Sequence, residues 1–180
     1  MPTDLERRQD VLALLFSVLP STMADQTAQT SEWTPREGLV LASKYRLQSR
    51  IGQGAMGAVW KAEHTTLGHT VAVKLLHATE SQDRDSRSRF DREAKIAARL
   101  SDSSKHIARV VDHGVLPDGT PFLVMEFLQG EGLDARLHRE ERLPLDLVVT
   151  VTAQLARALQ AAHDLGVVHR DLKPANVFLC

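Results

Sequence analysis

The feature that most constrains the fold of this chain is a change of hydrophobic period near Gly130. Between Tyr45 and Gly130 apolar and polar residues mostly alternate, as in "YRLQSRI" and "AVWKAEH", which is the period of a β-strand. "VAVKLL", "HIARVVDHGV" and "PFLVMEFL" also have strand character, so this part predicts five strands. The sequence therefore predicts an α+β fold, in which a five-stranded antiparallel sheet with one helix leads into a helical region.

The helical segments carry recognisable start and stop signals. "RDSRSRFDREAKIAARL" interrupts the strands with apolar residues at helical spacing, and "GLDARLHRE" predicts a short helix after Gly130. A long helix is expected over Leu147–Leu165, with Pro144 at its start and Gly166 as its C-cap. The residues expected on the buried face of the first helix are Phe90, Ala94, Ala97 and Leu100.

The start of the chain differs from the rest. "TDLERRQDVLALLFSVLP" predicts a short helix that begins with a capping-box pattern and ends at a proline. Its apolar part, Val11–Leu19, is too short to cross a bilayer, which takes about 20 residues, and the mixed charges before it disfavour a secretion signal. A start of translation at Met23 and a genuine amphipathic flank remain open. Because residues 21–43 are polar and aperiodic, we expect residues 1–44 to be a flank that is disordered apart from this helix.

Composition argues against several classes of function. The 22 basic and 23 acidic residues are interspersed and give a net charge of -1, so no basic field exists for nucleic acid or an anionic membrane. Cys180 is the one cysteine, which favours a reducing, cytoplasmic compartment and leaves no disulfide or cysteine-based metal site within the chain. The eight histidines are scattered without the spacing of a zinc site. The composition and charge are typical of an ordinary soluble domain.

Three glycines, Gly52, Gly54 and Gly57, stand between two predicted strands in "GQGAMG". Glycine lets backbone N–H groups approach phosphate oxygens, because no Cβ is in the way. A dinucleotide-binding fold would need a helix directly after the glycines, whereas "AVWKAEH" predicts a strand. The motif therefore indicates a phosphate-binding loop or a glycine-rich hairpin without a ligand.

Lys74 ends the apolar strand "VAVK", where an ammonium group needs an anionic partner. Glu93 lies on the inward side of the first predicted helix. A Lys74–Glu93 ion pair would aim the lysine at a phosphate beneath the glycines. The alternative is a surface lysine and one of several acidic residues on a charged helix.

The string "HRDLKPAN" concentrates chemical groups in one loop. Asp171 can accept a proton from a hydroxyl nucleophile, and Lys173 can stabilise charge on a moving phosphoryl group. Asn176 offers an amide oxygen to a hard cation such as Mg²⁺. His169 is expected to be a buried histidine with a structural role.

With these motifs in place, the sequence resembles the eukaryotic-type protein kinase family. "GQGAMGAV", "VAVK" and "HRDLKPAN" stand in the family's order, and Glu93 lies between the second and third. The lysine two residues after Asp171 is similar to serine/threonine kinases, and "IGQGAMGAVW" resembles bacterial members. The resemblance covers the chain from about Tyr45 to Cys180.

The resemblance implies an ATP and Mg²⁺ site. It implies that Asp171 is the catalytic base, assisted by Lys173, Lys74 and Glu93, and that Asn176 binds magnesium. It implies an adenine pocket, a gatekeeper at Met125 and a hinge that offers backbone groups. The nucleotide-binding positions that it implies are Ile51, Gly52, Gln53, Gly54, Ala55, Met56, Gly57, Ala58, Val59, Ala72, Lys74, Met125, Glu126, Leu128 and Phe178.

The resemblance also implies a partial kinase domain over residues 45–180, with an N-lobe over 45–129 and the start of a C-lobe over 130–180. The family's Asp-Phe-Gly motif does not follow within the sequence, which ends shortly after the catalytic loop. We therefore expect a serine/threonine kinase fragment whose partners are ATP and proteins with Ser or Thr. The alternative is an inactive kinase-like module that binds nucleotide or a protein partner.

Overall fold

The structure, a computed structural model, describes residues 13–14, 35–54, 57–76 and 84–180. The described part divides into two compact units. The sheet unit contains β2 to β7 and α1 up to Ile96, and the helical unit contains the remaining elements and α1 from Ala97. In chain order the elements are β1 (Ala13–Leu14), β2 (Val40–Leu41), β3 (Tyr45–Gly54), β4 (Gly57–His64), β5 (Thr70–Leu76), α1 (Arg84–Ser103), β6 (Val110–Val115), β7 (Pro121–Glu126), β8 (Glu131–Gly132), α2 (Leu133–Glu140), α3 (Leu145–Asp164), a 3-10 turn (Pro174–Asn176) and β9 (Val177–Leu179).

The sheet unit is a six-stranded antiparallel sheet in the order β2-β3-β4-β5-β7-β6. Successive residues of a strand point to opposite faces, so alternate apolar residues build one apolar face. Leu47, Val73 and Val124, from three different strands, are at most 1% exposed in this core. The five predicted strands are confirmed as β3 to β7, and buried residues alternate with less buried ones at the start of β3 and along β7.

The sheet is curled, because two strands that are far apart in its order make direct contact. The Tyr45 hydroxyl at the start of β3 donates a hydrogen bond of 2.7 Å to Oδ2 of Asp112 in β6. The Lys44 ammonium lies 3.4 Å from the same oxygen. Burial of the Tyr45 phenol, together with Asp112 beside it, raises the pKa of Tyr45 above its usual range. This hydrogen bond therefore joins the two sides of the curled sheet.

Helix α1 buries the face that its spacing predicts: Phe90, Ala94, Ala97 and Leu100 are all at most 8% exposed. Within the sheet unit the helix contacts β6 through His113. The Phe90 ring meets the His113 ring edge-on, with centroids 6.0 Å apart, and Asp91 Oδ1 lies 3.8 Å from His113 Nε2. These contacts hold the part of α1 before Ala97 against β6.

The helical unit is built around α3. Pro144 is the N-cap of this helix, and Gly166 follows it with φ 71° and donates its N–H to the carbonyl of His163 at 2.8 Å. Pro144 therefore confirms the predicted start of the long helix, whereas its C-cap is Leu165 and the predicted Gly166 follows one residue later. Helix α2 confirms the predicted short helix. The buried core of this unit consists of Leu100, Ile107, Val151, Ala158, Ala162, Val177 and Leu179.

A second, three-stranded sheet in the order β1-β9-β8 lies in the helical unit. Its presence corrects the prediction for the start of the chain, because Ala13 and Leu14 form a strand where a helix was expected. An apolar run without clear periodicity supports either structure, and here pairing with a distant strand decides between them. The rest of the predicted helix lies outside the described residues.

The expectation that residues 1–44 hold no other regular structure is also wrong. Strand β2 adds a sixth strand to the edge of β3, with Val40 opposite Arg46 and Leu41 opposite Tyr45. Leu41 is 2% exposed and belongs to the core of the sheet unit. Two residues are too few to show the alternation of a strand, and the apolar run Leu39–Ala42 has no period that indicates one.

Candidate active site

One face of the sheet unit collects the residues predicted to contact a nucleotide. Val71, Val73 and Leu75 of β5 belong to the apolar core, so Ala72 and Lys74 lie on the opposite face. Across the strands, Lys74 is opposite Val59, Val59 is opposite Gly52, and Ala72 is opposite Met125. Since paired residues share a face of a sheet, Gly52, Val59, Ala72, Lys74 and Met125 lie together on the face away from the core. The sequence predicted these residues separately, and the register brings them side by side.

The three glycines have different roles. Gly57 has φ 137°, and a Cβ on it would overlap the carbonyl group of Leu75 in the neighbouring strand. Gly54 has open space where a Cβ would be, and a Cβ on Gly52 would make only an ordinary contact of 3.8 Å with Val59. Packing therefore requires glycine at Gly57, whereas Gly52 and Gly54 leave their backbone accessible. The predicted positions Ala55 and Met56 lie outside the described residues.

Lys74 is largely buried, and the predicted ion pair with Glu93 is not formed. Within the described part of the chain, no carboxylate lies in ion-pair distance of Lys74, and burial lowers the pKa of this lysine. Burial raises the pKa of Glu93, with a smaller opposing effect from Arg89. The prediction is wrong for this structure: Phe90 and Asp91 of α1 contact His113 of β6, and Glu93 makes no ion pair with Lys74.

The environment of Lys74 fits a bound anion. A buried ammonium without a carboxylate is costly, and this cost disappears when an anionic group comes within reach. The open backbone at Gly54 and the face that carries Lys74 both belong to the sheet unit. Together they have the chemistry of a phosphate site, and the other residues of this face are apolar enough to contact a base.

The catalytic loop in the helical unit is held together by its own groups. The amide nitrogen of Asn176 donates to the backbone oxygen of Asp171 at 2.7 Å and to its carboxylate at 3.1 Å. The Lys173 ammonium lies 2.9 Å from the same carboxylate. Arg170 has φ 59°, and the buried ring of His169 precedes it, as predicted. Asp171, Lys173 and Asn176 therefore meet in one cluster, as their spacing indicated.

The electrostatics of this cluster favour an ionised Asp171. The hydrogen bond from Lys173 lowers the pKa of the Asp171 carboxyl below 3.8, and the hydrogen bond from Asn176 lowers it further. Because the Asn176 nitrogen is used as a donor, its Oδ1 is the oxygen suited to a hard cation. The cluster therefore fits Mg²⁺ at Asn176 and presents a carboxylate that can receive a proton.

The other predicted nucleotide residues lie on the same two units. Ile51 on β3 is 50% exposed, Glu126 at the end of β7 is exposed, and Leu128 and Phe178 in the helical unit are half-buried. Gln53 accepts a hydrogen bond of 2.6 Å from Arg50. Ala58 packs partly against the core of the sheet unit, so its side chain is a packing group.

The sequence analysis missed two residues that position the segment before the catalytic loop. Gly130 has φ 150°, and a Cβ on it would overlap the carbonyl group of Leu179 in β9. Glu131 in β8 accepts hydrogen bonds from Arg136 and Arg139 of α2, and these lower its pKa to about 2. The string "GEG", followed by Arg136 and Arg139, was the sequence signal that could have indicated the roles of Gly130 and Glu131.

Comparison with known proteins agrees with the site. The sequence matches the protein kinase domain family over residues 45–180, so the chain belongs to this family. The fold is accordingly the α+β protein kinase fold, with a curled antiparallel sheet, one helix beside it and an incomplete helical part. Members of this family generally use ATP and Mg²⁺ and act on proteins.

Among the relatives are bacterial serine/threonine kinases. The chain is 39% identical to the serine/threonine-protein kinase pkn3 of Myxococcus xanthus over 86% of its own length and 27% of that protein. It is 43% identical to the serine/threonine-protein kinase PknA of Mycobacterium tuberculosis, over 81% of its own length and 34% of that protein. The crystal structure of the Mycobacterium tuberculosis PknI kinase domain superimposes with a TM-score of 0.69 at 33% identity, over 81% of this chain and 57% of that one.

The chain thus spans about a third or less of the two curated relatives, at 27% and 34% of their lengths. In the described ranges, none of the helices is both long and apolar enough to cross a membrane.

Proposed function

We propose that this chain carries the nucleotide-binding face and catalytic loop of a protein kinase that transfers the γ-phosphoryl group of ATP to Ser or Thr hydroxyls. The observation that carries this proposal is the cluster of Asp171, Lys173 and Asn176, in which an ionised carboxylate, an ammonium group and a side-chain amide meet. The names of the bacterial relatives support the choice of Ser and Thr as acceptors.

In this proposal each group of the loop has one task. Asp171 orients the acceptor hydroxyl and receives its proton as the oxygen attacks the γ-phosphorus. The bond between the γ-phosphorus and the bridging oxygen breaks, and ADP leaves with the electron pair. Lys173, which lies 2.9 Å from the Asp171 carboxylate, is close enough to stabilise charge on the transferred group. Asn176 would hold Mg²⁺, which would supply charge neutralisation at the phosphates.

In the sheet unit, Lys74 would hold the α- and β-phosphates, and the backbone of Gly52 and Gly54 would approach them. Val59 and Ala72 would contact the adenine ring, with Met125 at the gatekeeper position. The shared face of these residues supports this assignment, and so does the lack of a carboxylate near the Lys74 ammonium among the residues that the structure describes. Formation of the Lys74–Glu93 pair on nucleotide binding would complete the arrangement. A cytoplasmic location, where ATP and Mg²⁺ are plentiful, belongs to the same proposal.

The test is phosphate transfer from labelled Mg-ATP to a generic acceptor such as casein. Asp171→Asn should reduce turnover by about 10²–10⁴-fold, because the base is removed while the loop is retained. Asp102→Asn, at an exposed position on α1, is the matched control and should leave turnover unchanged. Turnover that survives Asp171→Asn would contradict the assignment. Mg-ATP binding without any transfer in the unmodified chain would favour the inactive, nucleotide-binding module.

A further inference from the structure

Lys61 is a cation on the nucleotide-binding face of the sheet unit that the proposed mechanism does not use. In β4 it lies opposite Ala72, and Ala72 lies opposite Met125 of β7, so the three residues share the face away from the core. The side chain of Lys61 is half-buried there. A charged group within a surface proposed to bind a base needs a partner, and the identity of that partner indicates its role.

The partner of Lys61 is an aromatic ring. Its ammonium nitrogen lies 5.3 Å from the centroid of the Phe127 ring. This distance is within the reach of a cation–π contact, which extends to about 6 Å. The side chain of Lys61 has to cross β5 to make the contact, and Ala72, the residue of β5 between Lys61 and β7 in the register, is small enough to let it pass.

Phe127 lies where the sheet stops holding the chain. Strand β7 ends at Glu126, and residues 127–129 belong to no helix or strand. Glu126 and Leu128, whose backbone groups are proposed to contact the adenine edge, flank Phe127 in the sequence. Because ladder hydrogen bonds end with β7, the course of the backbone beyond it depends on contacts of side chains such as Phe127.

We propose that Lys61 is a positioning residue for the nucleobase, which acts by holding the Phe127 ring and, through it, the backbone between Glu126 and Leu128. The inference rests on the proposed nucleotide site and adds to it a residue that acts through Phe127. Loss of the contact should weaken the binding of the adenosine part of ATP and leave the binding of the phosphates unchanged. A lysine that bound phosphate itself would give the opposite result.

The first experiment measures, by calorimetry on the full chain, the Kd of adenosine, of Mg-ATP and of inorganic tripolyphosphate with Mg²⁺. Lys61→Met should raise the Kd of adenosine and of Mg-ATP by the same factor, about two- to fivefold, as expected for one cation–π contact. The Kd of tripolyphosphate should not change. Lys61→Arg keeps a cation over the ring and should keep the affinity of the unmodified chain. Lys95→Met, at an exposed position on α1, is the matched control and should change none of the three.

A double-mutant cycle shows whether Lys61 acts through the ring. Phe127→Leu removes the ring and keeps an apolar side chain, so it should also weaken adenosine binding. Adding Lys61→Met to Phe127→Leu should cause no further loss, because the lysine then has no ring to hold. Losses that add would overturn the proposal. An unchanged adenosine affinity in Lys61→Met, or a loss of affinity for tripolyphosphate, would overturn it as well.

Amide hydrogen exchange in the absence of nucleotide tests the contact separately from the proposed function. Exchange over residues 127–129 should be about two- to fivefold faster in Lys61→Met than in Lys61→Arg, because the cation–π contact is lost. Exchange over β5 should be the same in both variants, which shows that the sheet is intact. Equal exchange over residues 127–129 would overturn the proposal. Faster exchange in a chain whose unmodified form binds neither adenosine nor Mg-ATP would confirm that Lys61 positions this segment and would overturn the proposed nucleotide site.

Discussion

The substitution Gly57→Ala separates the role of this glycine in folding from a role in nucleotide binding. At φ 137° an alanine is strained, and its Cβ would lie 2.9 Å from the Leu75 carbonyl carbon and 3.0 Å from the Leu76 Cα. Both atoms are backbone of β5, in the middle of the sheet, so they cannot move aside. Backbone strain of about 1–3 kcal/mol and overpacking of about 1–3 kcal/mol together predict a loss of about 2–6 kcal/mol in the free energy of unfolding.

Gly54→Ala is the matched comparison, because a Cβ there meets nothing within 4 Å. We expect its free energy of unfolding to stay the same or to rise by about 0.4–1 kcal/mol, since alanine restricts the unfolded chain. Urea denaturation followed by the fluorescence of Trp60, which is 7% exposed, measures both variants. Equal stability of the two variants would refute the packing argument for Gly57. A Gly54 variant with unchanged affinity for Mg-ATP would refute the phosphate role of the open backbone.

Three further predictions concern the edge strand, the buried lysine and the catalytic loop. Leu41→Ala should lower the free energy of unfolding by about 2–5 kcal/mol, whereas Val40→Ala, at a position 42% exposed, should change it by less than about 0.5 kcal/mol in the same urea assay. Lys74→Met should raise Tm at neutral pH, because the folded chain disfavours the ammonium. The pKa of Lys74 in the folded chain lies below its ordinary value of 10.5, so the unmodified chain gains stability as pH rises from the folded pKa to 10.5. The difference in Tm between the variant and the unmodified chain should therefore shrink over this pH range. A difference in Tm that stays constant with pH would contradict this. Lys173→Met should move the titration midpoint of Asp171, followed by carbon NMR, upward toward 3.8, and an unmoved midpoint would show that Lys173 does not hold that pKa down.

Much of the fold was predictable because the two-residue period of strands and the spacing of helices depend only on residues that are close in sequence. Leu47 and Val124 each lie between less buried neighbours, and Phe90 recurs with its helical partners, so burial follows from the pattern. The catalytic loop was predictable for a similar reason. Asp171 and Asn176 are five positions apart in one short loop, and their contact needs no information from elsewhere in the chain.

What failed depends on partners that are distant in sequence. The Lys74–Glu93 pair needed the position of α1, which is set by a contact with His113 that no spacing rule predicts. The strand at Ala13 needed β9 as its distant partner, and "VLALLF" has no period that distinguishes a strand from a helix. Local rules therefore identified the chemical groups, while tertiary contacts decided which of them meet.

The sheet formed by β1, β9 and β8 has a consequence for the order of folding. Its three strands come from widely separated segments, and β9 follows β1 by about 160 residues. At about 5–20 residues per second, a ribosome needs roughly 10–30 s to deliver β9 after β1. The sheet unit, whose neighbouring strands are close in sequence, can form during this interval. During synthesis Ala13 and Leu14 must wait without their strand partner until the catalytic loop has emerged, and in this period a chaperone or another nascent chain could bind them.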